Sequence, residues 1–358
     1  MHPVGTDGAK HISIKDIARS AKVSHSTVSR ALNNSSRVKS ETVDRIRRIA
    51  EESDYRGSAI ARSLATRRTK TIGVVVTTIA DLFAAGVVSG IETVAGNHGY
   101  SVFLANSNAD PEREMRVVRT FEERRVDGII VTASRVGALH VPLLSRMKVP
   151  IVLLNNQHPS EFVHSVMIEN LSAGYEATRY LIELGHRRIA YIGDRNGRQS
   201  DTERFGGYRQ ALDSGQLPFQ PELVVYGNGT PESGMQMMAT LLGFAEPPTA
   251  VFCYDDMTAL GAMRQIHASG LRVARDVSVV GFDDLSIVQF TEPPLTTIRQ
   301  PMSEMGRLAM EAVLDLLGES GSTHEIKVRG ELIVRASTGS PKNHLRPTAL
   351  EARTDSQP

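Results

Sequence analysis

The chain has 358 residues, which is more than one ordinary domain holds and predicts two or three domains. Residues 1–70 contain 15 Lys and Arg against 7 Asp and Glu, whereas the remainder contains 26 against 33. The only cysteine, Cys253, excludes an intrachain disulfide and a cysteine zinc cluster. We find neither an apolar leader nor a run long enough to cross a membrane, so we expect a cytoplasmic protein with no membrane partner.

The first predicted elements are two short helices joined by a tight turn. Residues 1–11 are polar and contain glycine, and we expect a mobile lead there. Ser13, followed by Asp16, provides an N-cap and an acid near the positive end of the first helix. Ser24 is a second N-cap, and it predicts a second helix from about His25 to Asn33. This pattern indicates a helix-turn-helix unit.

The second helix would be the part of this unit that reads DNA, because its N-terminal residues enter the major groove in this geometry. Arg is well matched to guanine, whereas hydroxyl groups mostly reach phosphates. The predicted base contacts are therefore His25, Ser26 and Arg30, and the predicted phosphate contacts are Ser24, Thr27, Ser29 and Asn33. The alternative is an ordinary surface helix, since short helix pairs with polar faces are common.

The next segments support the DNA-binding interpretation. SETVDRIRRIAEES, from Ser40 to Ser53, predicts a third helix that closes a small core, which gives a head over residues 12–57. The run SAIARSLATRR, from Ser58 to Arg68, looks helical but is too short to be stable alone, so DNA or a partner chain would have to order it. A basic head on an acidic body is typical of a DNA-binding module attached to a domain with another role.

From Thr71 strand and helix patterns alternate, which predicts parallel sheets with right-handed crossovers. Two such sets predict a two-lobed α/β body over residues 71–340. We place the first lobe at about 71–168 and 299–322, and the second at about 169–298 and 323–340. Residues 341–358 are polar and contain proline, and we expect a disordered tail. The fold class is thus a small all-α head joined to two parallel α/β lobes.

Polar residues recur at the carboxyl ends of the predicted strands, where open α/β sheets bind ligands. The candidates for binding a small molecule in a shared cleft are Thr77, Thr132, Asn155, Asp255 and Asp283. Each could instead be a turn former or a helix cap. Recurrence in both lobes favours the cleft.

A catalytic role finds no support in the sequence. H-E-x-x-H, the phosphate loop G-x-x-x-x-G-K, and G-x-G-x-x-G opening a helix do not occur with suitable spacing. His186 precedes a strand and is interpreted as a local hydrogen-bonding residue. We therefore expect no catalytic residue, no metal site and no cofactor.

Several motifs together resemble the lactose-repressor/galactose-repressor (LacI/GalR) family of transcription regulators. They are KDIARSAKVSHSTVSRALN, YRGSAIARSLATRR, LGHRRIAYIG, RFGGY, DDMTALGAMRQI, VSVVGFDD and PPLTTIRQP. The resemblance implies that residues 58–70 contain a hinge helix that folds on DNA and pairs with its twin. It places Leu64, with Ala61 beside it, as the minor-groove wedge that kinks the operator.

The resemblance also implies the fold and ligand of the body, because the family core shares its fold with periplasmic sugar-binding proteins. Arg204 and Asp283 match residues that grip the effector, whereas Asp255 stands where the family more often has Asn. Met302 stands where an aromatic residue sometimes stacks on the ligand. These positions imply a small effector, predicted to be a carbohydrate, that binds between the lobes and changes operator affinity.

The assembly expected from these features is a homodimer. The tail has no leucine repeat of the kind that relatives forming tetramers use, and two heads fit a palindromic double-stranded site. The predicted function is a nucleoid-associated, effector-controlled repressor. The alternatives are a sugar-binding or solute receptor with no DNA role, and a regulator that activates some promoters.

Overall fold

The computed structural model describes residues 12–32, 37–55, 63, 68–132, 147, 149–155, 164–196, 199–318 and 325–341. The chain divides into two compact units, Met1–Thr69 and Lys70–Pro358. We call the first unit the head and the second the body. The predicted lead over 1–11, most of the predicted hinge and most of the predicted tail lie outside the described residues.

The head contains three helices, α1 (Ile14–Ser20), α2 (His25–Leu32) and α3 (Ser40–Glu52), among its described residues. Its core is formed by apolar side chains from all three: Ile17, Ala18, Ala21, Val28, Ala31 and Ile46. Asp16 closes the start of α1, because its Oδ2 accepts from the Ser13 backbone N at 3.0 Å and from the Ser13 Oγ at 2.7 Å. The turn before α2 places Lys22 at a φ of 53°, a left-handed conformation. The predicted helix-turn-helix and third helix are confirmed.

The body alternates strands and helices as the sequence predicts. Its strands are β1 (Thr71–Val76), β2 (Ser101–Asn106), β3 (Gly128–Thr132), β4 (Ile151–Leu154), β5 (Ser165–Ile168), β6 (Ile189–Asp194), β7 (Val224–Gly227), β8 (Ala250–Cys253), β9 (Ser278–Asp283), β10 (Thr296–Arg299), β11 (Ile326–Val328) and β12 (Glu331–Ile333). Its described helices are α4 (Leu82–Asn97), α5 (Pro111–Glu123), α6 (Asn170–Glu183), α7 (Gln199–Ser214), α8 (Pro231–Leu242), α9 (Asp256–Ala268) and α10 (Met302–Leu317).

The strands form two sheets of six, which are the cores of two lobes. The order is β11-β5-β4-β3-β1-β2 in the first sheet and β12-β10-β9-β8-β6-β7 in the second. Neighbouring strands are parallel except β10 and β12, which pair antiparallel with Thr297 opposite Ile333. The central strands are buried on both faces because helices cover both sides, which is why runs such as TIGVVV are almost wholly apolar.

The chain passes between the lobes three times, after β5, after β10 and after β11. The last crossing corrects one prediction. We expected the strands near 325–335 to complete the second lobe, but Ile326 pairs with Val166 of β5 in the first sheet, and only Glu331–Ile333 joins the second. Short strands of three residues carry no pattern that selects a sheet, and pairing with a distant strand decides it.

Side-chain caps set where several helices begin. The Asp81 Oδ1 accepts from the Phe83 backbone N at 3.0 Å, and α4 begins at the next residue, Leu82. Asp110 caps α5 in the same way, with Pro111 in the first turn. No helix among the described residues is long and apolar enough to cross a membrane.

Candidate functional site

The outer surface of α2 carries the predicted base contacts. His25, Ser26 and Arg30 are exposed, whereas Val28 and Ala31 are buried in the core of the head. Because the apolar face of α2 is fixed against α1 and α3, its opposite face is held rigidly for contact with another molecule.

Two of the predicted phosphate contacts, Ser24 and Thr27, lie at the start of the same helix. Ser24 caps α2, since its Oγ accepts from the Thr27 backbone N at 3.1 Å. The same Oγ lies 2.8 Å from the Ser26 Oγ and 2.8 Å from the Thr27 Oγ1, so the three hydroxyls form one local network. Ser29 is half-buried. Asn33, Ala61 and Leu64 lie outside the described residues.

The second candidate site is a cavity of about 550 Å³ in the body. Residues at the carboxyl ends of strands from both sheets line it, together with the first turns of α4, α7 and α9. The lining residues are Thr77, Thr78, Ala80, Asp81, Phe83, Asn108, Ala109, Asn155, Ser200, Arg204, Asn228, Gly229, Tyr254, Asp255, Met257, Asp283, Leu285 and Gln300. The size and the mixed polar and apolar lining suit a small organic ligand.

The structure brings five of the six predicted ligand residues to this cavity: Thr77, Asn155, Arg204, Asp255 and Asp283. Thr132 is the exception, because it is not among the lining residues. Its side chain is buried and its Oγ1 donates to the Val75 backbone O at 3.2 Å, so it belongs to the interior of the first sheet. Alternate residues of a strand point to opposite faces, and the sequence alone did not show which face Thr132 takes.

Arg204 of α7 is held in the cavity by several contacts. It is 3% exposed, and its Nε donates to the Asn170 Oδ1 at 2.9 Å. Its Nη1 donates to the Tyr254 backbone O at 2.6 Å. Its Cζ lies 3.5 Å from the ring centroid of Phe282, so the guanidinium covers that aromatic face. These contacts fix the planar fork of Arg204 before any ligand arrives.

Asp283 is held at the end of β9 in an unusual backbone conformation, with a φ of 121°. The Gln300 Nε2 donates to its Oδ1 at 2.6 Å. Burial raises the pKa of the Asp283 carboxyl well above its ordinary value, and the nearby Arg204 guanidinium acts in the opposite direction. A non-glycine residue at such a φ is strained, and strain of this kind clusters at binding sites.

Two carboxylates of the cavity also cap helices. Asp255 precedes α9, and its Oδ1 accepts from the Thr258 backbone N at 2.7 Å. Asp81 caps α4 from the first lobe. Asp255 is thus a helix cap, and it also lines the cavity.

Strand-end reasoning missed several lining residues that it could have found. Asn108 and Asn228 come just after β2 and β7, and the rule that selected Thr77 also applies to them. Gln300 likewise follows β10 directly, whereas Ser200 is brought in by the first turn of α7 and no strand end marks it. Met302, where the family resemblance places an occasional aromatic residue, is absent from the lining.

Metal binding has no support in the part of the chain that the structure describes. No group there of three or more His, Cys, Asp or Glu side chains could hold a metal ion. His186 forms hydrogen bonds with Thr249, Ser278 and Gly339 within the body, which agrees with its interpretation as a local hydrogen-bonding residue.

Comparison with known proteins identifies both parts of the chain. Residues 13–58 match the model described as bacterial regulatory proteins, lacI family, and residues 178–338 match the periplasmic binding protein-like domain. The chain is 37% identical over 326 residues to the HTH-type transcriptional repressor CytR of Escherichia coli (strain K12), covering 91% of this chain and 96% of that protein. The chain belongs to the LacI family of bacterial regulatory proteins.

Other relatives support the same assignment. The HTH-type transcriptional repressor PurR of Vibrio atlanticus (strain LGP32) is 32% identical over 326 residues, covering 91% of this chain and 98% of that protein. The solved lac repressor dimer bound to operator and the anti-inducer ONPF has a TM-score of 0.83 and 28% identity, covering 92% of this chain and 100% of that one. A transcriptional regulator CelR in complex with cellobiose has a TM-score of 0.70 and 32% identity, covering 91% and 99%.

As a LacI-family member the chain is a DNA-binding transcription regulator, with a helix-turn-helix head and an effector-binding body. A solute receptor with no DNA role would not explain the match over residues 13–58. The relatives are named as transcriptional regulators, which is the function class of this chain as well.

Proposed function

We propose that this protein is a repressor that binds a palindromic operator as a homodimer and changes its operator affinity when a small hydroxyl-rich effector enters the cavity. The observation that carries the proposal is the pairing of an exposed polar face on α2 with a cavity built by strand ends of both lobes. The relatives include a lac repressor dimer bound to operator and a regulator bound to cellobiose, which supports DNA and a carbohydrate as the two ligands.

On the DNA side, Arg30 takes the central role in base recognition, with His25 and Ser26 beside it. Arg presents two donors to guanine O6 and N7. One such pair of hydrogen bonds favours the correct base over a wrong one by about 1–3 kcal/mol. Ser24, Thr27, Ser29 and Asn33 position the helix on phosphates. Leu64, with Ala61 beside it, wedges the minor groove at the centre of the site, as the family resemblance implies.

On the effector side, a ligand that contacts residues of both sheets stabilises one arrangement of the lobes over others. The three crossings of the chain between the lobes form the hinge for that change. A ligand shifts the equilibrium only by its difference in affinity between the arrangements, so the effector must contact both lobes. Thr77 and Asn155 from the first lobe, with Arg204, Asp255 and Asp283 from the second, provide such contacts.

The test is capture of genomic DNA fragments by the purified full chain at near-physiological salt, because low salt inflates nonspecific phosphate binding. We expect enrichment of one palindrome, and release of that DNA when an active metabolite is added. The capture is repeated with metabolite extract, so that a protein needing a corepressor is also detected. If no sequence is enriched under either condition, the proposal is wrong.

Two variants test the assigned docking. Arg30→Ala should relax sequence choice at one position of the half-site, whereas Arg48→Ala removes the same charge from α3, on the side away from the buried Ile46 and Ala50. Leu64→Ala should weaken specific binding and spare nonspecific binding. Equal effects of Arg30→Ala and Arg48→Ala on the captured sequence would contradict the role of Arg30.

A further inference from the structure

Two asparagines of the chain, Asn196 and Asn228, are followed directly by glycine. Asparagine is chemically least stable before glycine, because glycine has no Cβ to keep its backbone nitrogen away from the preceding side-chain amide. Asn228 lies in the turn between β7 and α8, and it lines the cavity together with Gly229. It is also exposed, so water can reach its side chain.

The hydrogen bonds of the Asn228 side chain all fall on its oxygen. The Oδ1 accepts from the Thr230 backbone N at 3.3 Å and from the Thr230 Oγ1 at 2.8 Å. The Nδ2 has no hydrogen-bond partner among the described residues. Donors directed at a carbonyl oxygen stabilise the negative charge that forms there when a nucleophile attacks the carbon. The amide is therefore polarised for attack, and nothing holds the nitrogen that has to leave.

Gly229 provides the nucleophile for this attack. Its backbone N makes no hydrogen bond to any residue that the structure describes. Its φ is 76°, in the left-handed region, and a Cβ on this residue would lie 3.0 Å from the Asp255 Oδ2. The turn thus requires glycine at this position, and the same requirement keeps the neighbouring Asn228 reactive.

The other Asn–Gly pair is held in the opposite way, although Asn196 is also exposed. The Asn196 Nδ2 donates to the Asp194 Oδ1 at 2.6 Å, and the Asn196 backbone N donates to the same oxygen at 3.1 Å. Loss of the amide nitrogen from Asn196 must therefore break a hydrogen bond to a charged group, which is stronger than one between neutral groups. The structure distinguishes two pairs that are alike in sequence.

We propose that Asn228 is a site of spontaneous deamidation, at which a neutral amide on the wall of the cavity becomes a carboxylate. The Gly229 backbone N bonds to the Asn228 Cγ, and the bond between Cγ and Nδ2 breaks. The proton of the glycine nitrogen leaves with the amide nitrogen as ammonia, and a cyclic imide remains. Water then opens the imide at either carbonyl, which yields aspartate or isoaspartate. The overall reaction consumes one water and releases one ammonia, with no oxidation or reduction.

The position of the site links this chemistry to the cavity. Either product adds a negative charge to a residue of the lining. Isoaspartate also lengthens the backbone just before Thr230, which caps α8 by accepting from the Ser233 backbone N at 3.3 Å. Fresh and aged chains therefore have different cavities. The inference goes beyond the proposed function and does not depend on it, because the reaction needs only water.

The test incubates the purified full chain in heavy-oxygen water at mildly alkaline pH and physiological temperature, and follows both Asn–Gly pairs by mass spectrometry of proteolytic fragments. Digestion in ordinary water separates residues converted during the incubation, which carry heavy oxygen, from those converted later. In the native chain we expect Asn228 to convert about tenfold faster than Asn196, the ratio expected when a hydrogen bond to a charged group must break. In the chain unfolded by urea we expect the two residues to convert at similar rates.

Asn228→Gln and Asn196→Gln are the matched variants, because the longer glutamine side chain cyclises far more slowly. Asn228→Gln should remove most of the acidic form that ion-exchange chromatography separates from the aged wild type, whereas Asn196→Gln should leave that form in place. Freshly purified Asn228→Asp should elute where the aspartate product does. The inference is overturned if Asn228 converts no faster than Asn196 in the native chain. It is also overturned if Asn228 converts only in the unfolded chain.

Discussion

The guanidinium of Arg204 lies over the ring of Phe282, with its Cζ 3.5 Å from the ring centroid. Phe282 is the last residue of β9 before Asp283, so one aromatic ring supports the cation next to the carboxylate that faces the same cavity. Two hydrogen bonds fix the plane of the guanidinium, one to Asn170 and one to the Tyr254 backbone O. The position of this charge is therefore determined by the protein and does not depend on the ligand.

Replacement of Arg204 by Lys should impair the effector response although it preserves the charge. Lys has no planar fork, so it cannot make both hydrogen bonds and stack on Phe282. We expect at least a tenfold loss of effector affinity, about 1.4 kcal/mol, and a loss of roughly 1–3 kcal/mol in the free energy of unfolding for the buried acceptor left without a donor. Titration of DNA release with the effector and chemical unfolding measure the two effects.

Arg209→Lys is the matched control for this change. Arg209 is on the same helix and covers the ring of Phe219 with its Cζ at 4.5 Å, but it is exposed and does not line the cavity. Its replacement should leave both effector response and stability nearly unchanged. Equal losses in the two variants would show that Arg204 has no special role.

The sequence predicted most of this fold because its local signals are strong. The β-branched run TIGVVV is typical of a strand buried on both faces, and caps such as Asp110 with Pro111 mark the start of a helix. The sequence did not show which sheet Ile326–Val328 joins, since that depends on a partner more than one hundred residues away in the chain. The predicted strand ends lie around the cavity, but the direction of each side chain depends on packing between distant segments.

A close helix crossing in the first lobe should make Gly90 intolerant of a side chain. A Cβ on Gly90 would lie 2.0 Å from the Ser303 backbone O, and a Cβ on Gly306 would lie 2.0 Å from the Val87 backbone O. Helices α4 and α10 thus touch backbone to backbone, and neither can move without shifting the lobe. Gly90→Ala should lower the free energy of unfolding by about 1–3 kcal/mol, the usual cost of overpacking, or more.

Gly96→Ala provides the internal control for that measurement. Gly96 is on the same helix, is exposed, and has nothing within 4 Å of a Cβ. Its replacement by Ala should raise stability by about 0.5–1 kcal/mol, because Ala is the better helix former. Chemical unfolding of the two variants should therefore give changes of opposite sign. A stabilised Gly90→Ala variant would mean that the helices are not in backbone contact.

Asp256 should make stability fall as pH rises through the weakly acidic range. Its Oδ1 accepts from the Thr297 Oγ1 at 2.6 Å and its Oδ2 accepts from the Leu285 backbone N at 2.8 Å, yet the side chain is fully buried. Burial raises the pKa of this carboxyl from 3.8 to about 7. Between these values the folded chain holds the proton and the unfolded chain does not, so stability present below about pH 4 is lost as pH rises towards 7.

Asp256→Asn removes this titration. The free energy of unfolding is measured by denaturant unfolding from pH 4 to 8. It should decrease less with rising pH in the variant than in the wild type. The difference in the free energy of unfolding between the two proteins should grow as pH rises towards 7 and level off above pH 7. An identical pH profile in both proteins would contradict the raised pKa.

His186 should hold the C-terminal end of the described part of the body against the second sheet. It is 1% exposed, and its Nε2 lies 2.8 Å from the Gly339 backbone O and 3.0 Å from the Ser278 Oγ. Its Nδ1 lies 2.9 Å from the Thr249 Oγ1. Burial lowers the pKa of this imidazole from 6.5, so the stability that its neutral form supplies is present above pH 6.5 and is lost as pH falls below that value. This effect has the opposite sign to that of Asp256.

We expect His186→Ala to lower the free energy of unfolding by about 1–3 kcal/mol, because buried hydrogen-bonding groups lose their partner. It should also speed hydrogen exchange at the Gly339 amide, which donates to the Ser278 Oγ at 3.0 Å. Exchange at an amide in the other lobe, such as Val131 in the centre of the first sheet, reports the global stability and serves as the reference. If the Gly339 amide exchanges no faster relative to the Val131 amide than in the wild type, His186 stabilises the body as a whole. Its effect is then not local to the segment around Gly339.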